Sequence, residues 1–139
     1  MNDEMTNCVG VICFRGDDVL LIQRGTAPRK GEWSIPGGRI EAGETEAEAA
    51  LRELGEETAV TAQLLTKVTV IEANFEGHAY RLHDYVARWT SGEPRAGDDA
   101  AQARFVPLRD INAMGMWDKT VQVIHDAHAK MALFSSDAA

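Results

Sequence analysis

The sequence predicts an α/β fold, in which a mixed β-sheet carries helices on its two faces. Pairs of β-rich segments occur before and after residue 60, and helical hydrophobic spacing occurs at 46–58 and 119–133. A layered sheet with two helices accounts for this order of elements. The 139 residues, 45% of them hydrophobic, fit one domain over residues 1–139 that can bury a core.

The chain begins with two predicted strands. Residues 7–14 read NCVGVICF and residues 19–23 read VLLIQ, with the turn RGDD between them. Aliphatic runs on either side of a turn predict a β-hairpin. After a loop, the segment WSIPGG contains Pro36, which favours an extended conformation at Ile35.

A helix is predicted next, over residues 46–58. Thr45 precedes it as a candidate N-cap, and Glu48 follows at the spacing of a capping box. The predicted buried stripe comprises Ala47, Ala50, Leu51, Leu54 and Thr58. A neighbouring acidic face comprises Glu46, Glu53, Glu56 and Glu57.

The second half of the chain predicts another hairpin and a closing helix. Residues 59–75 and 78–89 read as strands around a Glu-Gly turn, followed by a loop at 90–101. A short strand is predicted at 104–108 and a helix at 119–133. Alternation in the strand at 78–89 places on one face Tyr80, Leu82, Asp84 and Val86.

The acidic face of the first helix is unfavourable without a partner. Glu53 and Glu57 are four residues apart and Glu56 lies between them, so their like charges destabilise an isolated helix. A hard divalent cation with oxygen ligands would compensate for this repulsion. The alternative interpretation is a solvated acidic face with Arg52 and Arg39 as partners.

The stretch from Gly38 to Val60 resembles the Nudix box, G-x(5)-E-x(7)-R-E-U-x-E-E-x-G-U. The residues at its fixed positions are Gly38, Glu44, Arg52, Glu53, Leu54, Glu56, Glu57 and Val60. Ala59 stands where the family has glycine. This position follows the helix, where glycine eases a left-handed C-cap and alanine brings modest strain.

The resemblance implies a Nudix-type α/β/α sandwich and hydrolysis of a nucleoside diphosphate linked to another group. Oxidised dGTP and ADP-ribose are examples of such substrates. The implied cofactor is Mg²⁺, with Mn²⁺ as a substitute, and its implied ligands are the Gly38 carbonyl, Glu53, Glu56 and Glu57. Arg52 is expected to fix the rotamer of a box carboxylate, with Glu53 as the implied partner. The alternative is a Nudix-like domain that binds a nucleotide as a sensor without cleaving it.

Substrate contacts and a general base are sought outside the helix. Arg24 and Lys30 are candidate phosphate or ribose contacts, against a solvated-loop alternative, and Gly37 lets the backbone approach a ligand closely. Asp98 and Asp99 are candidates for the base or a further ligand, with Glu93 as a weaker candidate. The two aspartates could equally cap a following turn. If they do, Glu53 is the preferred base.

Composition limits the partners. The net charge of −8 and the absence of a basic stripe in the sequence argue against binding a nucleic acid polymer. No apolar run is long enough for a membrane span, and no targeting signal is visible at the start, so a cytoplasmic protein is expected. Cys8 and Cys13 are expected to be reduced packing residues. A homodimer is left open.

Overall fold

The computed structural model describes residues 5–27, 29–97 and 99–135. Its elements in chain order are β1 (Thr6–Arg15), β2 (Asp18–Arg24), β3 (Trp33–Ser34), β4 (Gly37–Arg39), α1 (Glu46–Thr58), β5 (Thr61–Phe75), β6 (His78–Ser91), β7 (Ala100–Pro107) and α2 (Asp118–Ser135). A short 3-10 helix, Leu108–Ala113, connects β7 to α2. Within the described residues, no helix combines the length and apolar character that a membrane span requires.

The sheet is mixed, as predicted. Its main path runs β3-β2-β1-β6-β5, while β4 pairs with β1 and β7 pairs with β2. Strands β1 and β6 are parallel over nine residue pairs from Thr6↔Tyr80 to Phe14↔Arg88, and β5 and β6 form a long antiparallel hairpin. At its tip, Glu76 and Gly77 have φ angles of 52° and 85°, as the favoured two-residue hairpin turns require.

A hydrophobic core lies on each face of the sheet. On one face, Ala50 and Leu54 of α1 pack with Val11 of β1, and on the other face, Ile124 of α2 packs with Ile12 of β1. Alternate residues of β1 therefore serve opposite cores. The predicted α/β/α sandwich is confirmed by this arrangement.

Strands β1 and β2 separate soon after their turn. They pair at Phe14↔Val19 and Arg15↔Asp18, whereas the start of β1 pairs with β4 and the end of β2 pairs with β3. The sequence predicts extended backbone here but does not indicate these two short strands. The sheet is therefore split on the side of β4, which carries the adjacent glycines Gly37 and Gly38. This split forms a cavity.

The buried face of α1 differs from the predicted stripe. Ala49, Ala50, Leu54 and Thr58 are buried, while Leu51 is 43% exposed. Ala47 is exposed as well. The stripe is rotated towards the acidic face, because Glu53 and Glu57 of that face are directed at β4 rather than at solvent. Glu57 thus lies on the inward side of the helix, which the apolar pattern did not indicate.

Both ends of α1 match their predicted caps. The Thr45 hydroxyl accepts from the backbone N–H of Glu48, and the Glu48 carboxylate accepts from the N–H of Thr45. At the other end, Ala59 is left-handed, with φ 62° and ψ 15°. Alanine in this region is strained by its Cβ atom, by about 1–2 kcal/mol.

Ala59→Gly is therefore expected to stabilise the protein by about 1 kcal/mol. Glycine relieves the strain at positive φ, but it also raises the entropy of the unfolded chain, which offsets part of the gain. Thermal unfolding would show a higher Tm. The matched control is Ala47→Gly on the exposed side of α1, which should destabilise by about 0.5–1 kcal/mol. If the two variants shifted Tm in the same direction, the left-handed cap assigned to Ala59 would be contradicted.

Candidate active site

The split in the sheet encloses a cavity of about 490 Å³. One group of lining residues is polar and comprises Arg24, Gly37, Gly38, Glu53, Glu57 and Asp99. Another group is largely apolar and comprises Ile71, Phe75, Tyr80, Leu82, Trp117 and Val123. The cavity therefore offers charged groups and flat apolar surface to one ligand.

Glu53 lies against the glycine strand β4. A Cβ atom added to Gly38 would overlap the Glu53 carboxyl group, so glycine at this position makes room for that carboxyl. Only 15% of the Glu53 side chain is exposed. Burial raises the pKa of Glu53, although Arg52 acts in the opposite direction.

Glu57, one turn further along α1, bonds to the other glycine. The backbone N–H of Gly37 donates to Glu57 Oε1 over 2.7 Å. Burial raises the pKa of Glu57 to about 7, and the charges of Glu53 and Asp99 act in the same direction. The Gly37 hydrogen bond and the charge of Arg24 oppose that rise. Two buried carboxyl groups with raised pKa values in a cleft are typical of a functional site.

Arg52 links the carboxylates of the box. Its Nε and Nη2 atoms donate to Glu44 over 2.6 and 3.0 Å, and this pair holds the pKa of Glu44 below its usual value. Its Nη1 atom donates to Glu53 and Glu56, each over 3.1 Å. The predicted contact between Arg52 and Glu53 is present, but the two-pronged pair is with Glu44.

The donor chemistry of this region fits a hard divalent cation. Glu53 and Glu57 supply carboxylate oxygens beside the backbone of β4, burial raises the pKa of both carboxyl groups, and the charge of Glu53 raises the pKa of Glu57 further. Within residues 5–27, 29–97 and 99–135, no three His, Cys, Asp or Glu side chains converge on one point. Glu53 is held by Arg52 and Glu57 by the Gly37 amide.

The structure brings most of the candidate residues together but not all. Arg24, Gly37, Gly38, Glu53, Glu57 and Asp99 line the cavity. Of the described candidates, Lys30 is exposed outside the lining, and the Glu56 side chain is 60% exposed beside Arg52. Arg52 lies behind Glu53 rather than in the lining. Asp98 lies outside the described residues.

The loop after β6 is fastened to the end of α1. The N–H groups of Arg95 and Gly97 donate to the carbonyls of Thr58 and Glu57 over 2.8 and 2.9 Å. A Cβ atom on Gly97 would overlap the Glu56 carbonyl, so this glycine serves close contact with the helix.

The loop's carboxylates have different positions. Asp99 is one of the lining residues and its charge raises the pKa of Glu57, and Ala100 directly begins β7. The strand leaves no helical turn there for Asp99 to cap, so the capping alternative is wrong for this residue. Glu93 instead pairs with Arg15 over 3.1 Å and is 79% exposed.

Sequence reasoning missed the apolar part of the cavity and one buried acid within it. Asp84 of β6 is 4% exposed and lines the cavity. The signal was present in the alternation of β6, where Asp84 is the one charged residue on the predicted face between Tyr80 and Val86. Two rings of the lining, those of Phe75 and Trp117, come from segments far apart in the chain.

Comparison with known proteins connects this site to a family. A profile of the NUDIX domain matches residues 5–127. The chain is 34% identical over 103 residues to an ADP-ribose pyrophosphatase of Methanocaldococcus jannaschii, covering 72% of this chain and 60% of that protein. It is 39% identical over 89 residues to a putative 8-oxo-dGTP diphosphatase 2 of Mycobacterium tuberculosis, covering 63% of each.

A solved structure supports the same fold. The NUDIX domain of Shewanella oneidensis NrtR, complexed with ADP ribose, superposes with a TM-score of 0.83 at 24% identity, over 94% of this chain and 90% of that one. The chain spans less than two thirds of the length of the two curated relatives. The profile match, the box and the sandwich agree, and the chain belongs to the Nudix hydrolase family.

Proposed function

We propose that the protein hydrolyses the diphosphate linkage of a nucleoside diphosphate joined to another group, a class that includes oxidised dGTP and ADP-ribose. The observation that carries the proposal is the pair Glu53 and Glu57, which α1 directs against the two glycines of β4 inside the cavity. The two curated relatives are named for a pyrophosphatase and a diphosphatase of this substrate class.

The proposed cofactor is Mg²⁺, with Mn²⁺ as a substitute. The residues that would hold it are Glu53, Glu56, Glu57 and the carbonyl of Gly38. When bound, such a cation neutralises charge on the diphosphate and lowers the pKa of a coordinated water. Glu56 would exchange its contact with Arg52 for this role.

The chain's own groups would position the substrate. Arg24 lines the cavity and its charge acts on Glu57, so it is placed to attract a phosphate group. Gly37 and Gly38 allow close approach of the backbone. Arg52 limits the rotation of Glu53 through the contact described above. Asp99 would accept a proton from the attacking water or contact the cation, and Asp98 remains a second candidate.

Asp99→Asn is expected to lower kcat by roughly 10-fold or more, in the range found when a group that supports a metal or a water is lost. The change preserves side-chain volume and leaves intact the hydrogen bond from the Gly25 N–H to the Asp99 carbonyl. Steady-state kinetics and metal titration measure the effect. Glu93→Gln is the control, since Glu93 pairs with Arg15 away from the cavity lining. Unchanged kcat and metal affinity for both Asp99→Asn and Asp98→Asn would leave Glu53 as the preferred base.

The deciding experiment offers the purified protein 8-oxo-dGTP, dGTP and ADP-ribose with Mg²⁺ and identifies the products. We expect nucleoside monophosphate from at least one substrate, and no turnover after exhaustive chelation until Mg²⁺ or Mn²⁺ is restored. Binding of these nucleotides without any cleavage would instead favour the sensor alternative. The retained carboxylates of the box, Glu53, Glu56 and Glu57, argue for the enzyme.

A further inference from the structure

Asp84 is a buried acid that the chemistry proposed above does not use. The residue is 4% exposed, and its carboxyl group lines the cavity. Within the part of the chain that the structure describes, this carboxyl has no hydrogen bond or ion pair from another side chain, and burial raises its pKa to about 7. Among the described residues no fully buried side-chain oxygen or nitrogen lacks a partner, so the Asp84 oxygens keep access to the cavity and can accept a hydrogen bond from a ligand there.

The strand beside Asp84 makes room for the acid. Gly10 of β1 lies directly opposite Asp84 of β6, and a Cβ atom on Gly10 would overlap Asp84 Oδ1. The same Cβ atom would lie 2.8 Å from Cδ1 of Ile35. Because glycine weakens a strand interior, Gly10 is best explained by the space that it leaves.

Asp84 is separated from the phosphate-binding side by one strand. Gly10 pairs with Asp84 on one side and with Gly37 on the other, and Gly37 is bonded to Glu57. Two strand spacings put the backbones of Asp84 and Gly37 about 10 Å apart. A ligand that spans this distance would present phosphates to the box glutamates and its other end to Asp84.

An aromatic cluster lines another part of the same cavity, and its Tyr80 is four residues from Asp84 along β6, about 13 Å away at the spacing of a strand. Phe75 contacts Trp117 with ring centroids 5.4 Å apart and Tyr80 with centroids 5.9 Å apart, and all three line the same cavity. Aromatic side chains offer stacking surface to any nucleobase. A phosphate at this end would be repelled by the carboxyl group, whereas an N–H donor would be attracted to it.

We propose that Asp84 selects the base of the substrate by accepting a hydrogen bond from the exocyclic amino group of a purine. The inference rests on the proposed nucleotide substrate. Whether ionised or protonated, a carboxyl group keeps an acceptor oxygen, so the 2-amino group of guanine and the 6-amino group of adenine share the chemistry it recognises. Bases without an amino group leave the buried acid unpartnered, which costs binding free energy.

The test compares monophosphates that differ by this one group, GMP against IMP and AMP against purine riboside monophosphate, by calorimetry without hydrolysis. For wild type we expect the amino-bearing member of at least one pair to bind roughly 10- to 100-fold more tightly, as for one hydrogen bond to a charged group. In Asp84→Leu this ratio should fall to near one, while the amino-free members bind at least as tightly as they do to wild type, because they no longer leave an acid unpartnered. Asp84→Ala gives the same test if Leu is not accommodated.

Two controls separate selection from structure. Asp84→Asn keeps an acceptor oxygen and should retain part of the preference, while Asp110→Asn removes an exposed carboxylate outside the cavity lining and should change nothing. An undiminished ratio in Asp84→Leu and Asp84→Ala, or equal weakening of all four ligands, would overturn the proposal. Amino preference without hydrolysis would refute the proposed reaction alone, and hydrolysis without amino preference would refute this inference alone.

Discussion

Glu57→Gln is expected to lower kcat a hundredfold or more, as the loss of a group that acts on developing charge in a closed site usually does. Glu57 is the carboxylate most firmly placed in the cavity, since α1 directs it inward and the Gly37 N–H bonds to it. Glutamine keeps a carbonyl oxygen for that N–H and removes the charge. Kinetics at saturating substrate and Mg²⁺ would measure the change.

The fold of this variant is checked through pH. In the metal-free protein, burial raises the pKa of Glu57 to about 7 in the folded state, from its ordinary value of 4.5. Its contribution to stability is therefore fully present below pH 4.5 and is lost as pH rises through about 7. Glu57→Gln should lack this loss and melt no lower than wild type at pH 8. The control is Glu72→Gln, on an exposed part of β5, which should keep wild-type kcat. Full activity of Glu57→Gln would mean that Glu57 has no part in catalysis.

Leu54→Ala should destabilise the protein by about 2–5 kcal/mol, since it removes a buried side chain and leaves a cavity. Leu54 is 1% exposed and packs in the core between α1 and β1. Denaturant unfolding gives the free energy. Leu51→Ala, which makes the same change at a residue that is 43% exposed, should cost less than about 1 kcal/mol. Equal losses in the two variants would mean that the assigned face of α1 is wrong.

The parts of the structure that sequence predicted well depend on local spacing. The bounds of α1, its capping box and the left-handed residue after it are fixed by neighbours within a few positions, so the pattern around Thr45 and Ala59 sufficed. The hairpin at Glu76 likewise follows from its turn. Fixed spacing in the box also explains why Arg52 could be assigned its contact with Glu53.

The parts that sequence did not predict depend on contacts between distant segments. The exposure of Leu51 was missed because acidic and apolar residues share the inward side of α1, which a hydrophobicity pattern reads as two faces. Strands β3 and β4 are two and three residues long and exist through pairing with β2 and β1. The position of Asp84 in the cavity follows from the parallel pairing of β1 with β6, which places it beside Gly10, and a sequence pattern does not give that pairing.

The attachment of the loop after β6 restricts how this site can adapt to a ligand. Two carbonyls at the end of α1, those of Glu57 and Thr58, are satisfied by the N–H groups of that loop. Swinging the loop away would exchange these two hydrogen bonds for bonds to water, so the structure shows residues 92–97 tethered to the end of α1. The loop and α1 are therefore linked through their backbones, so a shift of this end of α1 would move Glu57 and the attached loop together. The opposite wall is held differently, since Trp117 meets Phe75 through a ring contact rather than a backbone hydrogen bond.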